Sequence, residues 1–324
     1  MHTLELLQAN LLSPMVLAFV LGIFATILRS DLRFPDELYT ALSVFLLFAI
    51  GLKGGAAMSV SSPGELLLPA LASLALGVGT PLWCYAILRY LGRMEVANAA
   101  AIAVHYGSVS AVTFIAGQTY LEKIGVKFEG FMPALVALME VPAIVVGLLI
   151  AKWQLGGGNL KQSLHEVLAG KSVVLLVGGL LIGLAAGAHG VEQVRPFFLD
   201  PFKGVLTLFL LEMGMAAARR FRDLSRVGAF LLAFGLVMPV LHGLLGVWVG
   251  RLIGLSEGGA TLLAVLSASA SYIAAPAAVR ISLPQANPSF YLTASLAITF
   301  PFNLTVGVPL YHALSEWVYR GGTP

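Results

Sequence analysis

His105-Tyr106-Gly107-Ser108-Val109-Ser110 and Ser267-Ala268-Ser269-Ala270-Ser271-Tyr272 are small, polar interruptions in apolar stretches, one in each half of a 324-residue chain. Each follows a Gly-containing segment end by 57 residues, Gly51 to Ser108 and Gly214 to Ser271, so the pairs are offset by 163 residues. A repeated spacing on this scale reads as an internal duplication. In hydrocarbon, an unwound backbone is tolerated only where protein or a watery cavity satisfies its amides. Paired interruptions at corresponding points of two halves therefore read as a site, not as lipid-facing surface.

Composition sets the environment. With 58% hydrophobic and 11% charged residues, the chain is not a soluble globular domain. Hydropathy gives ten candidate spans, near 11–28, 38–56, 65–88, 96–118, 131–151, 172–188, 201–218, 227–250, 258–279 and 289–314. Most reach the ~17–25 apolar residues that cross a bilayer. The second and seventh are marginal, because Lys53 and Arg219 arrive early. No basic leader or small-residue cleavage site accompanies the first span, so it is expected to be retained. The one cysteine, Cys84, falls inside the third span and leaves no intramolecular disulfide.

With ten spans, one set of loops carries 12 of the 19 basic residues and the other carries 7. The positive-inside rule places the richer set, including Arg219, Arg220, Arg222 and Arg226, in the cytoplasm and both termini outside. The arginine group is thus an orientation signal rather than a nucleic-acid patch. Five spans per half is an odd number, so duplicated halves must insert in opposite directions. The fold expected is an all-α integral membrane protein with an inverted 5+5 repeat and broken fourth and ninth helices. Residues 1–152 form the first repeat, 153–170 a cytoplasmic linker around Gly156-Gly157-Gly158, and 171–324 the second repeat.

Gly107, Ser108, Ser110 and Thr113 at one break have their counterpart in Ser269, Ser271 and the Ala274-Ala275-Pro276 stop at the other. If each helix restarts there, two half-helices aim free amides and positive dipole ends at the midplane, which suits a small anion. The alternative is that Ser, Thr and Gly serve ordinary helix packing. Glu140, before Pro142, is an intramembrane carboxylate and so a candidate cation ligand. Its counterpart is Thr299 before Pro301, where the prolines release carbonyls for Na⁺, and Ser110 and Asn303 complete the candidate sodium set. A protonated or interfacial glutamate is the competing reading.

Other polar residues have plainer readings. Lys53 and Glu212 sit near span ends, where snorkelling explains the lysine. His105 and His242 read as helix–helix hydrogen-bonding residues or as proton relays. Asn287-Pro288 is a helix start. Trp153 and Trp317 fit an interfacial belt. No phosphate loop, metal-spaced cysteine set or nucleophile elbow is present, so an enzyme is not expected.

Together these segments resemble the SbtA-type sodium-dependent bicarbonate transporters of cyanobacteria. Ile50-Gly51-Leu52-Lys53-Gly54-Gly55 is similar to that family's Ile-Gly-Leu-Thr-Gly-Gly, and Gly107-Ser108-Val109-Ser110-Ala111-Val112-Thr113 to its Gly-Ala-Val-Ser-Gly-Ser-Thr. Glu140-Val141-Pro142-Ala143 resembles Asp-Ile-Pro-Ala, and Met213-Gly214-Met215 and Pro239-x-x-His242-Gly243 also match. Pro284-Gln285-Ala286-Asn287-Pro288-Ser289-x-Tyr291 is the most specific match. The resemblance implies core and gate domains, a homotrimer, and Na⁺-coupled bicarbonate uptake across the plasma (inner) membrane. It also implies an anion held between the broken helices and a soluble PII-like regulator on the cytoplasmic face. No organic cofactor is implied; sodium is the coupling ion.

Two departures stand out. Tyr272 takes the place of a family aspartate beside the second break, and the family's Gly-Pro-Pro becomes Ala275-Pro276-Ala277. Loss of the carboxylate removes a plausible Na⁺ ligand, and the phenol adds bulk to the anion pocket. The short linker weakens the case for the regulator. Transport of another small inorganic anion or short carboxylate, with altered sodium coupling, is the alternative.

Overall fold

A computed structural model describes residues 8, 10–155, 165 and 168–321, so the Gly156-Gly157-Gly158 linker lies outside the described residues. Among these residues the chain is helical throughout, with no strand. The helices are α1 (Pro14–Ile27), α2 (Asp36–Met58), α3 (Pro63–Ala86), α4 (Val96–Gly107), α5 (Ala111–Lys123) and α6 (Met132–Leu155). The second half gives α7 (Lys171–Gln193), α8 (Phe202–Arg220), α9 (Leu224–Leu252), α10 (Glu257–Ala268), α11 (Ala274–Ser282) and α12 (Pro288–Tyr319).

Eight of the helical stretches are long and apolar enough to cross a membrane, against the ten spans expected. The two exceptions have physical reasons. The first helix, capped by Ser13, has 14 residues, and the ninth stretch is divided by five unwound residues into a 12-residue α10 and a 9-residue α11. The fourth, unwound over three residues only, counts as one stretch from Val96 to Lys123. At ~1.5 Å per residue, neither half of a divided helix spans ~30 Å alone. The second stretch, marginal by charge, is a full 23-residue helix that carries Lys53 within it. Positive-φ glycines kink α7 at Gly187 (φ 65°) and α9 at Gly228 (φ 74°), close to where hydropathy ends the sixth span and starts the eighth.

Side chains are distributed as a bilayer requires. Leu17, Leu21 and Phe24 on α1, Leu67 and Leu71 on α3, and Leu232 and Trp248 on α9 are exposed. A set of polar side chains is buried instead, notably Ser108, Thr113, His105, Glu140, Thr299 and Asn303. The helices α4 and α10, rich in Ala and Gly, lie almost wholly inside.

Two apolar clusters divide the interior. One joins α5 and α10 with α1, α2 and α8; the other joins α4 and α11 with the ends of α3 and α9. The first half of each broken helix therefore lies beside the second half of the other, and the two broken helices run antiparallel.

Packing between the remaining helices follows the same exchange: α2 packs on α7, and α8 packs on α1. Glycines make both crossings close. A Cβ on Gly214 would collide with the Phe19 carbonyl, and one on Gly22 with the Leu211 carbonyl. A Cβ on Gly51 would lie 2.7 Å from the Leu176 carbonyl oxygen. Gly51 and Gly214, read from sequence as segment ends, are thus mid-helix crossing points. The obstacle is backbone, which cannot rotate away, so Gly214→Leu is expected to cost more than the ~1–3 kcal/mol typical of overpacking. A large drop in the unfolding temperature of the detergent-solubilised protein would report it; an unchanged midpoint would contradict the close crossing.

Candidate functional site

Both helices break, but later than the sequence suggests. His105 and Tyr106 are still helical, and the unwound stretch is Ser108–Ser110. Likewise α10 runs through Ser267 to Ala268, and the second unwound stretch is 269–273. The two C-caps have nearly the same backbone, Ser108 at φ −82°, ψ 158° and Ser269 at φ −81°, ψ 161°. Ser108 therefore corresponds to Ser269, not to Ser271 as the 163-residue offset implies. Pro276 is no stop either. It occupies the first turn of α11, where its missing N–H leaves no helical bond unmade.

The unwound segments cross and bond each other. The Ser110 amide donates to Ser269 Oγ at 2.8 Å, and the Ser271 amide donates to the His105 carbonyl at 2.8 Å. Ser110 caps α5: its Oγ accepts from the Thr113 amide at 3.2 Å and from Thr113 Oγ1 at 3.0 Å. Ser271 Oγ accepts from the Ala275 amide at 3.3 Å in the first turn of α11. Gly107 lies against Pro81 and Ala143, too close for a larger residue. The sequence-derived set Gly107, Ser108, Ser110, Thr113, Ser269, Ser271 and Tyr272 is thus brought together at one buried crossing.

Not every donor there is used. Among the described residues, Ser108 Oγ is buried without a hydrogen-bond partner, while Tyr272 directs its hydroxyl toward the Ser110 side chain and packs its ring on Phe300 at 4.9 Å. A buried hydroxyl without a partner costs on the order of 1–3 kcal/mol, a cost that a polar ligand removes. Of the first-turn amides, those of Thr113 in α5 and Ala275 in α11 are taken by the serine caps, and the others have no acceptor within their own helices.

Around the crossing, α12 supplies the polar wall. It winds as a π-helix over Thr293–Thr299 and again over Asn303–Gly307, on either side of Pro301. Pro301 removes one backbone donor, and π-bulges inside helices concentrate at functional sites. Thr299 Oγ1 donates to the Gly235 carbonyl at 2.7 Å and lies 2.6 Å from the Tyr106 hydroxyl. Asn303 donates to the Ala268 carbonyl at 2.9 Å, holding the end of α10, and its Oδ1 accepts from Tyr311 at 2.6 Å. Sequence reading missed Tyr106 and Tyr311; only their partners on other helices distinguish them from packing aromatics.

Glu140 is buried, 6% exposed, and among the described residues has no hydrogen-bond or ion-pair partner. No hydrogen bond joins it to Ser110, Thr299 or Asn303. Lys53 does more than snorkel: with Lys203 it brackets Glu122, each at 3.1 Å, tying α2 and α8 to α5. Glu212 lies 3.4 Å from Arg219. His242 makes the helix–helix bond expected of it, accepting from Trp83 Nε1 at 2.8 Å. His105 bonds within its own helix, Nδ1 to the Ala101 carbonyl at 2.7 Å, and stacks on Tyr291. Asn287 caps α12 through the Ser289 amide as read from sequence, and its own amide donates to Asn98 at 2.7 Å.

No curated protein matches the chain. A family model, by contrast, aligns over residues 14–316, which takes in every helix described except the last turn of α12. It is the model of a transporter family, not of an enzyme family, and it covers both breaks, Glu140 and the π-helical stretches of α12. The chain belongs to the Na⁺-dependent bicarbonate transporter superfamily.

Proposed function

We propose that this protein is a secondary active carrier that takes up bicarbonate with Na⁺, holding the anion at the crossing of the two broken helices. One observation carries the reading. The N-terminal ends of α5 and α11, where Ser110 and Ser271 accept first-turn amides, start from one buried crossing that also holds the unpartnered Ser108 hydroxyl. The segments contain no Lys or Arg, so dipole ends, hydroxyls and a nearby cation must offset the anion's desolvation. Glu140, Ser110, Thr299 and Asn303 are the proposed sodium ligands, Ser110 only where it gives up one of the two bonds its Oγ accepts from Thr113. Thr299 Oγ1 and Asn303 Oδ1 each accept one bond, which leaves a lone pair. A cation that contributes charge to the anion site makes the two bindings mutually favourable, and the coupling is reciprocal.

The architecture proposed is ten spans in an inverted 5+5 repeat. The antiparallel broken helices and the exchanged pairs α2–α7 and α8–α1 support it. On this reading α1, α2, α7 and α8 form the gate, and the remaining helices form a core that moves against it in an elevator-like alternating-access cycle. Both termini lie outside the cytoplasm, in the plasma (inner) membrane. A homotrimer and a PII-like regulator follow from the SbtA resemblance alone, and the short segment 153–170 argues against the regulator.

Uptake of labelled bicarbonate into proteoliposomes, with and without a Na⁺ gradient and against a panel of competing anions, tests the reading. Na⁺-driven bicarbonate accumulation supports it. Accumulation of a different anion, or uptake indifferent to Na⁺, assigns the crossing to the alternative substrate class. Tyr272→Asp restores the carboxylate found in SbtA-type carriers. It is expected to steepen Na⁺ dependence or sharpen bicarbonate preference; an unchanged ion profile would show that Tyr272 does not face the ions.

A further inference from the structure

The geometry points to a second ion site, for a divalent first-row transition metal such as Zn²⁺, formed by Glu257, His312 and Glu316. It is independent of the transport reading. One ligand atom from each residue lies within 4.8 Å of the others, drawn from the start of α10 and the last turns of α12. His312 lies nine residues beyond Asn303 on α12, ~14 Å along the helix, so this is not the proposed sodium site.

The cluster is held in place. Ser315 Oγ donates to the Glu257 carbonyl at 2.9 Å, and the Tyr319 hydroxyl donates to the Leu255 carbonyl at 2.6 Å, clamping α12 against the start of α10. His312 is 2% exposed, while the Glu257 and Glu316 side chains are 31% and 17% exposed, which leaves a path for an ion from solvent.

Charge and ligand chemistry agree. Two carboxylates this close repel, and Arg320, 2.9 Å from Glu316, offsets one of them through a side chain that is itself 62% exposed. A dication neutralises both. One imidazole with two carboxylates is a donor set for borderline metals rather than for Mg²⁺ or Ca²⁺. A separate observation points the same way. Among the described residues the hydroxyl of Tyr120, a residue 4% exposed, has no hydrogen-bond partner, and its ring meets His312 edge-on at 6.0 Å. A metal-bound water beside His312 is a candidate partner for that phenol.

The test is calorimetric titration of the detergent-purified full chain with Zn²⁺, alongside visible absorption with Co²⁺. One saturable Zn²⁺ per chain is expected, with Co²⁺ bands of low coordination number and no competition from Mg²⁺. His312→Ala and Glu257→Gln should each weaken binding at least about tenfold. Arg320→Gln should tighten it, because the arginine competes for Glu316. Absence of saturable binding, or wild-type binding in His312→Ala, overturns the site. Should His312→Ala fail to fold, wild-type affinity in both Glu257→Gln and Arg320→Gln overturns it equally. Neither outcome depends on which anion the protein carries.

Discussion

Ser108→Leu and Ser271→Leu are each expected to reduce anion uptake to background, at least about a hundredfold, while leaving a folded protein in detergent. Both side chains lie at the buried crossing, Ser108 at 0% and Ser271 at 2% exposed. Leucine in place of Ser108 fills the space beside its unpartnered hydroxyl with apolar atoms and removes a donor. In place of Ser271 it also removes the oxygen that accepts from the Ala275 amide, so α11 loses part of its start. The overpacking costs ~1–3 kcal/mol, which the long helix contacts elsewhere can absorb. Loss of uptake with a monodisperse elution profile is the expected pair of results. Ser108→Ala separates bulk from chemistry: loss of one hydrogen bond predicts weaker binding by about tenfold, not abolition. Wild-type uptake in Ser108→Leu would remove the crossing from the transport path.

Glu140→Gln is expected to weaken Na⁺ stimulation about ten- to a hundredfold with little change in fold. The substitution keeps shape and removes charge, and a charged ligand contributes ~1.5–3 kcal/mol where it meets its partner. A carboxylate inside a membrane helix, buried and without a protein partner among the described residues, is costly unless a cation or proton neutralises it. The Na⁺ activation curve of uptake distinguishes the two. A right-shifted or flattened curve assigns Glu140 to the cation, whereas a wild-type curve assigns it to a protonated or interfacial role.

Much of the molecule was legible in the chain. Hydropathy alone marked the spans, because crossing hydrocarbon demands long apolar runs whatever the fold. Both breaks were visible because Ser and Gly accumulate where a membrane helix is interrupted inside protein, and the Asn287-Pro288 start because cap chemistry is local. Local signals fixed the breaks only to within a few residues. Ser267 looks as polar as Ser269, yet it remains helical and bonds the Leu263 carbonyl, four residues back.

Tertiary structure decided the partners. Tyr106 meets Thr299 across 193 residues, Ser110 meets Ser269 across 159, and Lys53 and Lys203 meet at Glu122 from two different helices. Such pairs depend on which helix faces which, a choice made by antiparallel packing of the broken helices and by close glycine crossings. Periodicity and spacing carry none of that. The same holds for Gly51 and Gly214: their matched offset was plain in the sequence. Their role as backbone contact points, against Leu176 and Phe19, exists only once the helices cross.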